Sequence, residues 1–351
     1  MKHNSSVSLR PFCYILPSFK SMTICMLCIL IPHIAMLTIT ASYDSIILLV
    51  CSVIASVSAE LLDKLVVRKK YPDVLTSILQ GVMIGLLLPS TYPAPAVFFI
   101  VLCTLLIAKY SFGGISSSWI NPMAITVLVA YCICPAFFPV YSMPVEHLQV
   151  QNTSLLLIQE GVLPVHGFDS AITNFLNDYI FSLLGTTIPE GYVSLLWDSG
   201  SVIPAFRFNL LTLFASLVMF SMSMISCSIP LCFILVYSIL VKLFCPVFAG
   251  GTFASGDIIL SLLTSGTLFT AFFVLSWYGT IPLTTGGRAI FGCFAGIAAF
   301  FISGYGLSSA GSMFTVFFAN IVSVVIQFYE NKRTSRILCS KKSEPQVMVQ
   351  E

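Results

Sequence analysis

The chain has 351 residues, 57% of them hydrophobic and only 9% charged, against roughly a quarter charged in an ordinary soluble domain. Its net charge of +2, with no basic face, offers nothing for nucleic acid to bind. The fold class these numbers predict is an all-α polytopic membrane protein embedded in a lipid bilayer.

Taken in order, apolar runs near twenty residues predict about ten transmembrane helices: roughly 22–41, 45–66, 73–89, 94–111, 121–140, 207–226, 229–247, 256–275, 288–304 and 311–329. Lys2, Arg10 and Lys20 precede the first run as they would in a signal peptide. That run is long enough to span and many more follow, so an uncleaved first helix is expected. The chain divides into a first transmembrane repeat over 1–140, a polar loop over 141–206, a second repeat over 207–330 and a basic tail over 331–351. Basic residues sit in the N-terminal segment, at Arg68-Lys69-Lys70 and in the tail, all on one side of a ten-span arrangement. That side is expected to be cytoplasmic, termini included. No lysine or arginine lies between Lys109 and Arg207, whereas Glu146, Glu160, Asp169, Asp178, Glu190 and Asp198 do. The loop is therefore expected on the periplasmic face of a bacterial inner membrane.

The halves resemble each other. Asp73-Val-Leu-Thr-Ser77 opens the third run and Asp257-Ile-Ile-Leu-Ser261 the eighth; Phe-Gly-Gly114-Ile-Ser-Ser117 is echoed by Gly-Tyr-Gly306-Leu-Ser-Ser309. Five spans per half is an odd number, so the second half is predicted to insert upside down, giving two inverted five-helix repeats.

Phe112 to Pro122 interrupts two apolar runs with permissive and hydroxyl residues, either as a loop between helices or as a structured break. Gly81, Gly85 and Gly266 remove side chains where a helix or a flat ligand can approach. Asp73, Asp257, Lys109 and Arg288 stand at span ends, suited to capping or snorkelling, while Lys242 lies deeper, where a charge is costly unless paired. Most of the twelve cysteines fall inside apolar runs and read as small buried side chains. The four histidines, His3, His33, His147 and His166, form no ligand constellation, and no metal site is expected. No nucleophile elbow, Walker loop or dinucleotide fingerprint is present.

Phe112-Gly113-Gly114 followed by Ile120-Asn121-Pro122-Met-Ala124 resembles the Phe-Gly-Gly and Phe-Asn-Pro-Ala signature of a known membrane family. That family holds the D subunit of the Rnf electron transport complex and the B subunit of the sodium-pumping NADH:quinone reductase. Asp73 through Leu88-Pro89, Leu262 to Phe273, Thr280-Ile-Pro282-Leu-Thr284 and Arg288 to Gly292 follow in the family's order; the likeness covers about 73–136 and 229–329. Length favours the Rnf subunit. The resemblance implies an electron-transfer subunit of a ferredoxin:NAD or NADH:quinone oxidoreductase type of translocase, moving Na⁺ or H⁺, rather than a stand-alone enzyme. It implies FMN held covalently by a phosphoester to a threonine in the outside loop, attached by a flavin transferase. It also implies a periplasmic flavin-bearing partner subunit and further membrane subunits of the complex.

Asp169-Ser170-Ala171-Ile172-Thr173 is the nearest match to the family's Ser-Gly-Ala-Thr motif, making Thr173 the candidate FMN bearer beside Ser170, with Gly266 as a second cofactor contact. The breaks at Gly113-Gly114 and Gly304 to Gly306 are the expected ion or cofactor contacts. Trp277 and Tyr278 stand where the family has Asp-Pro, and Glu190 and Gly200 compete for one further turn motif. Two alternatives stay open: a solute channel of the urea type, also built from inverted five-helix repeats, and a structural subunit without flavin.

Overall fold

A computed structural model describes residues 18–67, 73–114, 119–139, 166–248, 252–303 and 310–343. Lys2, Arg10, His3, Arg68-Lys69-Lys70, the serines of 116–118, His147, the loop from 140 to 165 and the glycine motif of 304–309 lie outside the described residues. Among the described residues every regular element is helical.

Each of the ten apolar runs has a helical counterpart. The first half is α1 (Phe19–Ile39), α2 (Tyr43–Val67), α3 (Val74–Leu87), α4 (Ala94–Leu105, prolonged as a π-helix over Leu106–Tyr110) and α5 (Pro122–Ile133). The connection carries α6 (Asp169–Tyr179) and α7 (Tyr192–Trp197). The second half is α8 (Asn209–Ser221), α9 (Ser228–Phe248), a broken span of α10 (Ile258–Thr264), α11 (Thr267–Phe269) and a π-helix (Thr270–Val274), then α12 (Thr285–Ser303) and α13 (Gly311–Ser343).

Among the described residues five helices, α1, α2, α9, α12 and α13, are long and apolar enough to cross a membrane by themselves. The others are shorter than the runs suggested, for local reasons. Leu88 is pushed to an extended ψ of 143° by Pro89, and α5 stops at Cys134 before Pro135. The 14 residues of α3 rise only about 21 Å. Irregular chain completes such crossings, which lipid forbids but a protein interior allows. α13 continues past the expected end at 329, so the basic tail begins as helix.

Hydrogen bonds show that the halves are inverted. Ser90, after α3, donates its N–H to Val202 O of the connection at 3.1 Å, and Arg207 Nη1 reaches Ser42 Oγ between α1 and α2 at 2.8 Å. Tyr192 of α7 donates to the Asp257 carboxylate at the start of α10. These groups share the loop face. On the far face, Phe19 of α1 meets Tyr278 edge-on at 5.3 Å, Glu330 of α13 accepts the Leu283 N–H at 3.0 Å, and Asp73 opens α3. Asp73 and Asp257 therefore open equivalent spans from opposite faces, as an inverted repeat requires.

Small residues set the closest helix approaches. A Cβ on Gly81 or Gly85 would come 2.6 Å from the Cα of Val53 or Leu49 on α2. Ser52 Oγ donates to Gly81 O at 2.7 Å, and Ser56 Oγ to Ser77 O at 2.7 Å. Both glycines thus serve helix packing. Asn121 accepts the Met123 N–H at 3.0 Å, capping α5, and donates to Val274 O of the other half at 2.9 Å. One residue of the Asn-Pro signature thereby ends one break and joins two halves. The expectation of buried cysteines needs correction: of those described only Cys245 is buried, while Cys28, Cys103, Cys132 and Cys227 are exposed. A helix surrounded by lipid has no reason to turn its small apolar side chains inward.

Candidate functional site

The connection on the loop face is built around one carboxylate. Asp169 lies in the first turn of α6, yet its side chain serves another helix: Oδ1 accepts the Gly191 N–H at 3.0 Å and Oδ2 the Ser194 N–H at 2.7 Å. Gly191 (φ 108°) and the first turn of α7 present these donors, and a carboxylate there also complements the helix dipole. Thr173, one turn along α6, donates its hydroxyl to Asp169 Oδ1 at 3.0 Å. Asn177, a further turn along, brackets Ile188, accepting its N–H and donating to its C=O, both at 2.8 Å.

Burial would raise the Asp169 pKa, but the hydrogen bonds from Ser194, Gly191 and Thr173 outweigh it and hold the carboxyl below its ordinary value. A depressed folded-state pKa contributes stability that is present above the unfolded value and lost as pH falls through the folded one. Amide hydrogen exchange within 166–206 of the detergent-solubilised protein, corrected for the intrinsic pH dependence of exchange, is therefore expected to stay protected down to about pH 5 and to lose protection below about pH 4. A transition near neutral pH would assign the anchor to another group.

From α7 the contacts pass into the membrane layer. Besides its bond from Tyr192, Asp257 accepts the Leu260 N–H at 3.0 Å and caps α10. The span then breaks at Gly266, whose φ is 70°. Asn209 Nδ2 donates to Leu263 O at 2.8 Å and Leu195 O at 3.2 Å, Ser265 Oγ to Ser261 O at 2.6 Å, and Tyr237 OH pairs with Ser261 Oγ at 2.6 Å. Asn209 thus takes up the Leu263 carbonyl just before the break, while Ser261 O keeps its helical bond from the Ser265 N–H at 3.1 Å, so that the polar groups beside a break at membrane depth are paired within the protein.

A second polar cluster, missed by sequence reading, lies toward the far face. Glu60 of α2 accepts the Asp73 N–H at 2.8 Å, the Tyr110 hydroxyl at 2.7 Å and the Ser77 hydroxyl at 3.2 Å. Lys109 Nζ stands 3.6 Å from the same carboxylate and 3.0 Å from Tyr110 OH. Lys109 is thus a buried partner of Glu60 rather than a snorkelling surface group. Lys242, expected deeper, is half-buried and donates to Gly256 O at 3.3 Å. Asp257 caps as anticipated, whereas Asp73 makes no side-chain cap bond.

The three proposed cofactor residues occupy three different environments. Ser170 is exposed on α6; Thr173 is 2% exposed beneath it; Gly266 sits where a Cβ would lie 2.4 Å from the Phe206 ring. An FMN phosphoester on Thr173 would remove the donor that Asp169 accepts and place a phosphate charge beside a carboxylate that is 4% exposed. Thr173 in this arrangement does not fit that group. Gly113 and Gly114, with φ of 93° and 99°, do form the structured turn that ends the π-helix.

Comparison with known proteins assigns the family. The chain is similar to the D subunit of an ion-translocating oxidoreductase complex from Vibrio cholerae serotype O1 (strain M66-2), 25% identical over 332 residues covering 87% of this chain and 91% of that one. It is similar to the D subunit of the same kind of complex from Shigella boydii serotype 18, 26% identical over 309 residues covering 81% and 86%. The corresponding D subunit from Actinobacillus pleuropneumoniae serotype 7 is 25% identical over 297 residues covering 76% and 80%. The model of the NQR2, RnfD, RnfE family matches residues 6–336, the whole span from before α1 into the far end of α13, and the chain belongs to that family.

Proposed function

We propose that this protein is a membrane subunit of an Rnf-type ion-translocating oxidoreductase complex that moves Na⁺ or H⁺ in a bacterial inner membrane. The observation that carries this reading is the family match through every described span, shared with relatives named as the D subunits of such complexes. The far face holds Lys20, Lys64, Arg288 and the basic end of α13, which supports a cytoplasmic far face and a periplasmic loop face. In this reading the chain's own groups do three things. Glu60 and Lys109 neutralise each other inside the bundle, Asn121 ties the halves together, and Asp169 and Asp257 fasten the periplasmic segment to the broken span.

A flavin on Thr173 has no place in this reading, because the Thr173 hydroxyl is committed to Asp169. Mass spectrometry of the Thr173 peptide, from protein made together with a flavin transferase, is expected to find it unmodified; an added FMN mass would show that α6 leaves α7 during maturation. The functional reading is tested by purifying the tagged chain from its native membrane in mild detergent. Other redox subunits of the complex are expected to come with it. A chain isolated alone that conducts small solutes in vesicles would replace this reading with the channel one.

A further inference from the structure

The amphipathicity of α6 is inverted. Asp169, Thr173 and Asn177, at i, i+4 and i+8, make the inward hydrogen bonds already described, while Ile172, Phe175 and Tyr179 point outward. Phe175 is 57% and Tyr179 68% exposed, and their rings meet at a tilt of 35° with centroids 4.8 Å apart. Ile180 and Leu183 extend the same exposed apolar surface past the helix end. A helix that stood alone in water would bury this face and expose the other. Here the polar face is consumed in holding α6 to its own protein, and the apolar face is left outward.

Lipid is a poor candidate to cover it. α6 packs on α7, and α7 packs in turn on α8 and α10, so α6 forms a second layer above the loop-face ends of the spans. No lysine or arginine between Lys109 and Arg207 is available to meet anionic headgroups, and Arg207 is held by Asp198 through two bonds of 2.7 and 2.8 Å. Asp178 and Glu190 lie in the same stretch and add negative charge. We infer that the outward face of α6, centred on Phe175 and Tyr179, docks a second polypeptide on the loop side of the membrane through an apolar surface rimmed by basic residues. This rests on the reading of the chain as a subunit of a complex, and names the surface that reading leaves open.

The test is photo-crosslinking in the intact native complex, with a benzophenone amino acid placed at Phe175 and, as a control, at Ser170. The expected result is an adduct between position 175 and another polypeptide of the complex, several times stronger than at position 170. The variant Phe175→Glu/Tyr179→Glu, which alters only exposed side chains, should lower recovery of that polypeptide about tenfold. Adducts from position 175 to lipid alone, to the chain's own 140–165 segment, or to nothing in a complex that has assembled would overturn the inference. Failure of the chain to bring any redox subunit with it would instead overturn the functional reading on which the inference stands.

Discussion

Lys109→Met is expected to destabilise the protein by about 3–5 kcal/mol, the range for breaking a buried ion pair from one side. The residue is almost fully buried, and Glu60, 3.6 Å away, is equally so. At that distance the pair attracts with about 4–5 kcal/mol for an effective dielectric near 20. Most of this offsets the desolvation of two charges, so the pair as a whole adds little net stability. Removing the ammonium alone leaves a buried carboxylate still held by Asp73, Ser77 and Tyr110 but deprived of the Lys109 charge. Glu60→Gln/Lys109→Met, which removes both charges, should regain most of the loss. Thermal unfolding in detergent, followed by tryptophan fluorescence, measures each variant. A Lys109→Met protein as stable as the parent would show that the pair is held for neither charge balance nor packing.

Gly266→Ala is the second large effect, expected at about 2–5 kcal/mol. The residue has φ 70°, which costs a side chain roughly 1–2 kcal/mol, and the new methyl would sit 2.4 Å from the buried Phe206 ring, an overpacking of about 1–3 kcal/mol. The two parts separate experimentally. Phe206→Ala/Gly266→Ala removes the clash but keeps the backbone cost, so the added effect of the alanine at 266 should shrink to about 1–2 kcal/mol in the Phe206→Ala background. An undiminished effect there would place the cost in the backbone alone. Because Asn209 and Ser265 serve carbonyls beside this break, its distortion should also loosen the junction between α7 and the broken span.

The ten spans, the inverted halves and the family were legible because they depend on local and periodic properties. Twenty apolar residues in a row mark a crossing wherever their partners lie. Asp73 and Asp257 announce matching helix starts without any contact between them. Pro89 and Pro135 stop helices through their own rings, so the fifth run, expected to continue to 140, ends as a helix at Ile133. The family likeness pointed to Thr173 by motif. Its i, i+4 relation to Asp169 was visible in the same five residues, but not the fact that α7 would complete that carboxylate's shell.

The tertiary structure decided what each marked residue faces. Glu60 and Tyr110 are fifty positions apart, and a single glutamate near the end of an apolar run reads as an interface group until α3 and α4 close over it. Gly266 was recognised as a place of close approach, yet whether helix, ligand or loop would approach depended on how Phe206 returns to the bundle. The pattern of α6 reveals two faces; only its placement on α7 shows that the polar one is inside. Hydrophobicity is a sum over neighbours in sequence and can be read along the chain. Burial of a charge or an apolar face is a relation between distant segments, and exists only once the helices have packed.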